Sequence, residues 1–235
     1  MIYVLVHGAW HGGWCWERVR FELESEGHVV YTPSLTGLSG SAVPLSPDVG
    51  IETHVNDIQE LLENEKLTDV ILVGHSYAGA IVTVLADRAR QRLKRIVYLD
   101  ALIPKSGHCL LDLFDADYCE LIRSRVNEFG DGWKMPVAKK EAFGLEKEED
   151  ILWVMPKLVP HPFKTYQDII LFNTAHTASM LKSYIKCIGN NPPDGKRTPY
   201  AEGINDYYEL ATGHDAMITA PQELVQLLKI ISACK

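Results

Sequence analysis

Short runs of valine, isoleucine, leucine and tyrosine recur along the chain, each closed by a glycine or a polar turn. They predict strands at Tyr3 to Val6, Val29 to Thr32, Val70 to Val73, Arg95 to Leu99, Ser183 to Cys187 and Tyr207 to Leu210. The first four show no apolar–polar alternation, as expected of parallel strands covered on both faces. Between the runs, apolar residues fall three and four apart. From Trp16 to Glu26, Trp16, Val19 and Leu23 share one face, and Gly27 is a good helix stop. A second helix, with Thr53 as N-cap, is predicted to bury Val55, Ile58, Leu61 and Leu62. A third runs from Ile81 to Ala89, and the last opens at Pro221 and continues through Leu224, Leu227, Leu228 and Ile231. The alternation of strand and helix predicts an α/β fold around a mostly parallel sheet.

The rhythm breaks from about 103 to 181, a stretch with helical patterns but no convincing strand and too long for a simple connection. It holds Phe114, Tyr118, Trp133, Phe143, Trp153, Phe163, Tyr166 and Phe172. We read it as a helical cap laid over the mouth of the sheet, supplying the walls of an apolar pocket. A length of 235 residues and 46% apolar composition fit a single domain, 1–235, with this cap as an insertion.

Charge and cysteine usage narrow the class. A formal net charge of −8, with no run of lysine or arginine, offers no footprint for nucleic acid or anionic lipid. No apolar stretch is long enough to span a bilayer, and the start Met-Ile-Tyr-Val-Leu-Val lacks the pattern of a signal peptide. The five cysteines include no C-x-x-C pair, so neither a disulfide framework nor a zinc site is signalled. A cytoplasmic protein without membrane or nucleic-acid partners is expected, its ligand a small molecule. A homodimer through exposed cap faces is compatible with the sequence but not required by it.

Three segments carry chemistry. Val70-Ile-Leu-Val-Gly-His-Ser-Tyr-Ala-Gly79 is a buried strand running into a Gly-x-Ser-x-small turn and then a helix. A serine hydroxyl is a poor nucleophile unless it is held exposed, beside a base and near oxyanion donors, and a sharp strand-to-helix elbow provides this. Gly74 and Ala78 flank Ser76, so the usual fifth-position glycine is alanine, with Gly79 next. His7-Gly8-Ala9-Trp10-His11-Gly12-Gly13-Trp14 follows the first strand. Its glycines free backbone N–H groups to face a ligand oxygen, and the expected oxyanion donors are the backbone N–H of Ala9 and that of Tyr77. It has neither G-x-G-x-x-G spacing nor a G-K-[ST] ending, so no nucleotide cofactor is expected. Thr212-Gly-His-Asp-Ala-Met-Ile-Thr-Ala-Pro221 follows the last strand, where a loop faces ligands at the carboxyl edge of the sheet, making His214 the candidate base.

The acid that should orient His214 has two candidates. Asp100 ends its own strand in Tyr98-Leu-Asp-Ala101, and an aspartate at a buried strand end calls for a specific partner. Asp194 is the alternative, the first carboxylate after Cys187. Asp100 is preferred. His75 is expected to buttress the elbow, and His28 and His54 to lie at the surface. His108, His161 and His176 fall in the cap without metal-ligand spacing, so no metal is expected.

At these residues the chain resembles the α/β-hydrolase superfamily, and within it the branch of plant methylesterases, hydroxynitrile lyases and bacterial pyrethroid-hydrolase-like esterases. The resemblance rests on Val4 to Trp14, Gly27-His-Val-Val, Val70 to Tyr77, Tyr98-Leu-Asp-Ala-Leu-Ile-Pro104 and Thr212 to Pro221. It implies a cofactor-free carboxylic ester hydrolase with a Ser-His-Asp triad and an acyl-enzyme intermediate. Asn190 sits about where methylesterase relatives carry their acid, whereas the bacterial esterase-like members share Tyr98-Leu-Asp-Ala101. Two other functions are compatible. A hydroxynitrile lyase would use the same serine and histidine, but that family has a threonine and a lysine where this chain has Gly8 and Asp215. A small-molecule receptor on a hydrolase fold would close its cap on a ligand with slow or no turnover. The cap's aromatic and aliphatic content favours an apolar substrate of small to medium size.

Overall fold

The computed structural model describes residues 1–189 and 203–234. The chain order is β1 (Ile2–Val6), α1 (Glu17–Ser25), β2 (Val29–Tyr31), α2 (Ile51–Asn64), β3 (Val70–His75), α3 (Ala78–Arg88) and β4 (Leu93–Leu99). The cap segment then holds α4 (Ala116–Phe129), β5 (Lys134–Met135), α5 (Glu148–Val154), β6 (His161–Pro162), α6 (Lys164–Gln167) and α7 (Thr174–Ala178). The chain returns through β7 (Lys182–Cys187), β8 (Asp206–Leu210), α8 (Ala216–Thr219) and α9 (Pro221–Ala233).

Six strands form one parallel sheet in the order β2-β1-β3-β4-β7-β8. Alternate residues of each strand serve two different cores, which explains the unbroken apolar runs. Val4, Val6, Leu72, Ile96 and Tyr98 face the layer holding α2 and α3. Tyr3, Leu5, Ile71, Val73, Val97 and Ile185 face the layer holding α1 and α9. Every α3 residue from Ala78 to Ala86 is buried. That helix is covered by the sheet on one side and by the chain leaving β4 on the other. Gly79 makes this possible, because a Cβ there would collide with the Leu102 carbonyl.

The structure departs from the sequence expectations in three places. Thr53 is not the N-cap of α2: the helix begins at Ile51 and Gly50 precedes it, while Thr53 Oγ1 accepts the Gly50 N–H at 3.3 Å. Helix α3 starts at Ala78 rather than Ile81. The cap is not purely helical, because β5 and β6 pair antiparallel, Met135 opposite His161. A two-residue strand is too short to leave a periodic pattern.

Candidate active site

The carboxyl ends of β1, β3, β4 and β8 deliver the loops that bear the sequence candidates. Between β3 and α3, Ser76 adopts φ 53°, a left-handed conformation that non-glycine residues enter only at a local cost. The turn is fixed on both sides: Ser76 N–H donates to Leu99 O at 3.1 Å, and Ser76 O accepts the N–H groups of Gly79 and Leu102. A Cβ at Gly74 would press on the Ala78 carbonyl and on Val82, so small residues are needed where α3 doubles back along β3. The Ala78 methyl fits, fully buried.

The strained turn projects the Ser76 hydroxyl toward His214, whose Nε2 lies 2.8 Å from Oγ. On the far side of the ring, His214 Nδ1 lies 2.6 Å from Asp100 Oδ2. Asp100 also has positive φ, at 42°, and its N–H donates to Ile185 O at 2.8 Å, so β7 helps aim the carboxylate. Its second oxygen receives Lys186 Nζ at 2.6 Å. Burial alone would raise the Asp100 pKa. The hydrogen bonds and charges of His214 and Lys186 outweigh it and hold the carboxyl well below its ordinary range. Asp100 is therefore an anion facing the imidazole, the arrangement that fixes the Nδ1–H tautomer and leaves Nε2 free to accept from the serine. Asp194 lies outside the described residues.

Around this chain of three, the first loop sits close to the elbow: a Cβ at Gly8 would lie 3.0 Å from Ser76 Cβ. The N–H groups of Ala9 and Tyr77 have no acceptor among the described residues. Two unspent donors beside the serine can hold a developing oxyanion. Trp10, next in the loop, has φ 68° and is pinned by Trp10 Nε1 donating to Met135 O at 3.2 Å.

Histidines brace these loops in ways the sequence did not disclose. His11 donates from Nδ1 to Ala9 O at 2.7 Å and from Nε2 to Asp215 Oδ2 at 3.0 Å. With acceptors at both nitrogens the ring is an imidazolium. Burial opposes that charge, but the Asp215 carboxylate overrides it and raises the His11 pKa, while His11 in turn lowers that of Asp215. His75 donates from Nε2 to His214 O at 3.0 Å, so it supports the histidine loop as well as ending β3. Burial, then the neighbouring His214, pushes its pKa down to about 3. His54 is a correction: it is fully buried, not at the surface, donating to Thr36 O and accepting from the Tyr77 hydroxyl at 2.8 Å. His161 is also fully buried, its ring 4.6 Å from that of Tyr77, and it fastens the cap hairpin to the elbow. Among the described residues no group of three or more His, Cys, Asp or Glu is placed to hold a metal ion.

Ser76 and His214 open into a cavity of about 420 Å³. Of the cap aromatics, Phe114, Tyr118, Phe143 and Tyr166 line it, joined by Trp10, Leu102 and Ile122. Trp133, Trp153, Phe163 and Phe172 are not among its walls. Arg125, Lys139 and Glu141 add charge to the lining, so the pocket is not wholly apolar.

The alpha/beta hydrolase family matches residues 3–227. The chain belongs to that family. A carbendazim-hydrolysing esterase of Nocardioides sp. (strain SG-4G) is 32% identical over 240 residues, covering 96% of this chain and 97% of that protein. Methylesterase 10 of Arabidopsis thaliana is 26% identical over 256 residues, covering 98% and 91%. Among solved structures, an extracellular α/β-hydrolase from a Paenibacillus species superposes with a TM-score of 0.83 at 21% identity, each chain covered in full. The last of these likenesses bears on the fold alone.

Proposed function

We propose that the protein is a serine hydrolase that cleaves a carboxylic ester of a small to medium, largely apolar substrate. The observation that carries this reading is the continuous hydrogen-bonded series Ser76–His214–Asp100 opening into a cavity beside two unspent backbone N–H groups. The similarity to an esterase over nearly the whole of both chains supports the choice of an ester over other acyl compounds.

In this mechanism the Ser76 hydroxyl attacks the ester carbonyl while His214 Nε2 takes its proton. The carbonyl π pair moves onto oxygen, and the N–H groups of Ala9 and Tyr77 hold the resulting oxyanion. The imidazolium, stabilised by Asp100, gives its proton to the leaving alkoxide as the C–O bond breaks, leaving an acyl-serine. Water then attacks, losing a proton to His214, and collapse of the second tetrahedral species releases the acid and returns the proton to Ser76. No metal or organic cofactor enters any step. The lyase reading gains nothing from the site, since Asp215, at the position where those enzymes have a lysine, is a buried carboxylate committed to His11.

The test is hydrolysis of a panel of 4-nitrophenyl esters of increasing acyl length, with carbendazim included because a relative is named for hydrolysing it. A burst of nitrophenol equal to the enzyme concentration, absent in Ser76→Ala, is expected. A folded wild type that cleaves none of the panel, or a Ser76→Ala variant as fast as wild type, contradicts the proposal.

A further inference from the structure

A second cavity, of about 570 Å³ and open to solvent on one side, lies away from Ser76 and His214, bordered by α3, β4, the chain leaving β4, α7, the start of β7 and the residues before β8. Its apolar walls include Ile103, Pro104, Phe172 and Ile204. Lys182, the first residue of β7, lines it with only 8% of its surface exposed. Among the described residues no carboxylate pairs with its ammonium. Burial lowers the pKa of the Lys182 amine. The ammonium reaches the cavity wall at Gly203, where an added Cβ would lie 3.4 Å from Nζ, and a cation in so apolar a setting favours an anionic partner.

Among the described residues no wall hydroxyl takes a hydrogen bond from the Lys182 ammonium. Thr83 spends its hydroxyl proton on Gly79 O, so Tyr98 must donate to Thr83 at 2.9 Å. Ser106 donates to Phe172 O, and Thr177 to Thr174 O. These hydroxyls already donate within the protein, and the Lys182 ammonium, in a mostly buried residue, joins the exposed Lys105 as a cationic wall that an anion can meet. We propose that this cavity is a second binding site, for a small monocarboxylate with an apolar body, whose carboxylate pairs with Lys182 while its body packs on Ile103, Phe172 and Ile204.

The test uses 4-fluorophenylacetate and its amide as probes, followed by fluorine NMR on the full chain. Saturable binding of the acid is expected, weakened at least tenfold in Lys182→Met, retained in Lys182→Arg and absent for the amide. Ala178→Trp, which narrows the cavity while leaving Lys182 in place, is expected to weaken binding as strongly. Because neither position touches the pocket of Ser76, loss in both variants cannot arise there, and the readout is independent of hydrolysis. No saturable binding by wild type, equal binding by Lys182→Met, or equal binding of the amide overturns the proposal. If Lys182→Met does not fold, undiminished binding by Ala178→Trp overturns it alone.

Discussion

Lys186 stands in a strand otherwise buried, and its Nζ contributes a positive charge to Asp100 behind His214. Removing it takes one cation away from Asp100, so the imidazolium beside that anion becomes more stable. Lys186→Met is therefore expected to move the acidic limb of the kcat/KM profile to higher pH. The same change should lower kcat by less than about tenfold, whereas Asp100→Asn, which removes the anion, should cost on the order of 10³–10⁴-fold. An unmoved acidic limb in Lys186→Met would separate Lys186 from the reaction. Buried neutral histidines make a second residue-scale case. His7 donates from Nδ1 to Gly8 O and accepts Leu35 N–H at 3.1 Å, and burial lowers its pKa to about 3, as it does that of His75. Because the unfolded chain binds these protons near pH 6.5 and the folded chain only near 3, their contribution is complete above pH 6.5 and lost as pH falls toward 3. Each such group adds a slope of about 1.4 kcal/mol per pH unit within that window. Denaturant titrations of His7→Gln between pH 4 and 6 should accordingly show a flatter pH dependence than wild type.

The elements that present the site are tied to one another rather than placed singly. His11 joins the loop after β1 to the loop after β8, with Ala9 O on one side and Asp215 on the other. His11→Ala or Asp215→Asn leaves the partner buried and uncompensated, at an expected cost of about 3–5 kcal/mol in chemical denaturation. A cost below 1 kcal/mol in both variants would mean the pair is not ionised. With Asp215 depressed and His11 raised, this stabilisation fades both below the ordinary carboxylate range and above the ordinary imidazole range. Such a pair is hard to foresee, because the partners are 204 residues apart and nothing local marks either one. The strands and Ser76, by contrast, were legible, since burial on both faces writes continuous apolar runs and the elbow requires small residues at fixed offsets. His54 was legible too: Ile51, His54, Val55, Ile58 and Leu62 are the buried residues of α2, so helical spacing puts His54 inside. The cap hairpin left no signal, being two residues per strand. Gly79 gives the matching expectation for packing. Gly79→Ala forces α3 away from Leu102 and should destabilise the fold by about 1–3 kcal/mol.

At the scale of the whole molecule, a parallel sheet gathers four loops at one edge, and the cap covers them with a cavity whose aromatic walls come mostly from the insertion and whose Ser76 and His214 come from the sheet loops. This division explains why the core motifs spoke to chemistry while the cap did not name a substrate. All five cysteines are free thiols, so the fold is held by packing and buried polar pairs, and reduction should leave the melting temperature unchanged. No helix among the described residues is long and apolar enough to cross a membrane. The central claim is that Ser76 is a nucleophile activated by His214, and covalent labelling tests it most directly. The protein is treated with a fluorophosphonate and the adduct located by mass spectrometry, with His214→Ala and Asp100→Asn alongside. A single adduct on Ser76, abolished without His214 and slowed in Asp100→Asn, is the expected result. Folded wild-type protein that takes up no label at Ser76, or labels equally fast without His214, contradicts the account.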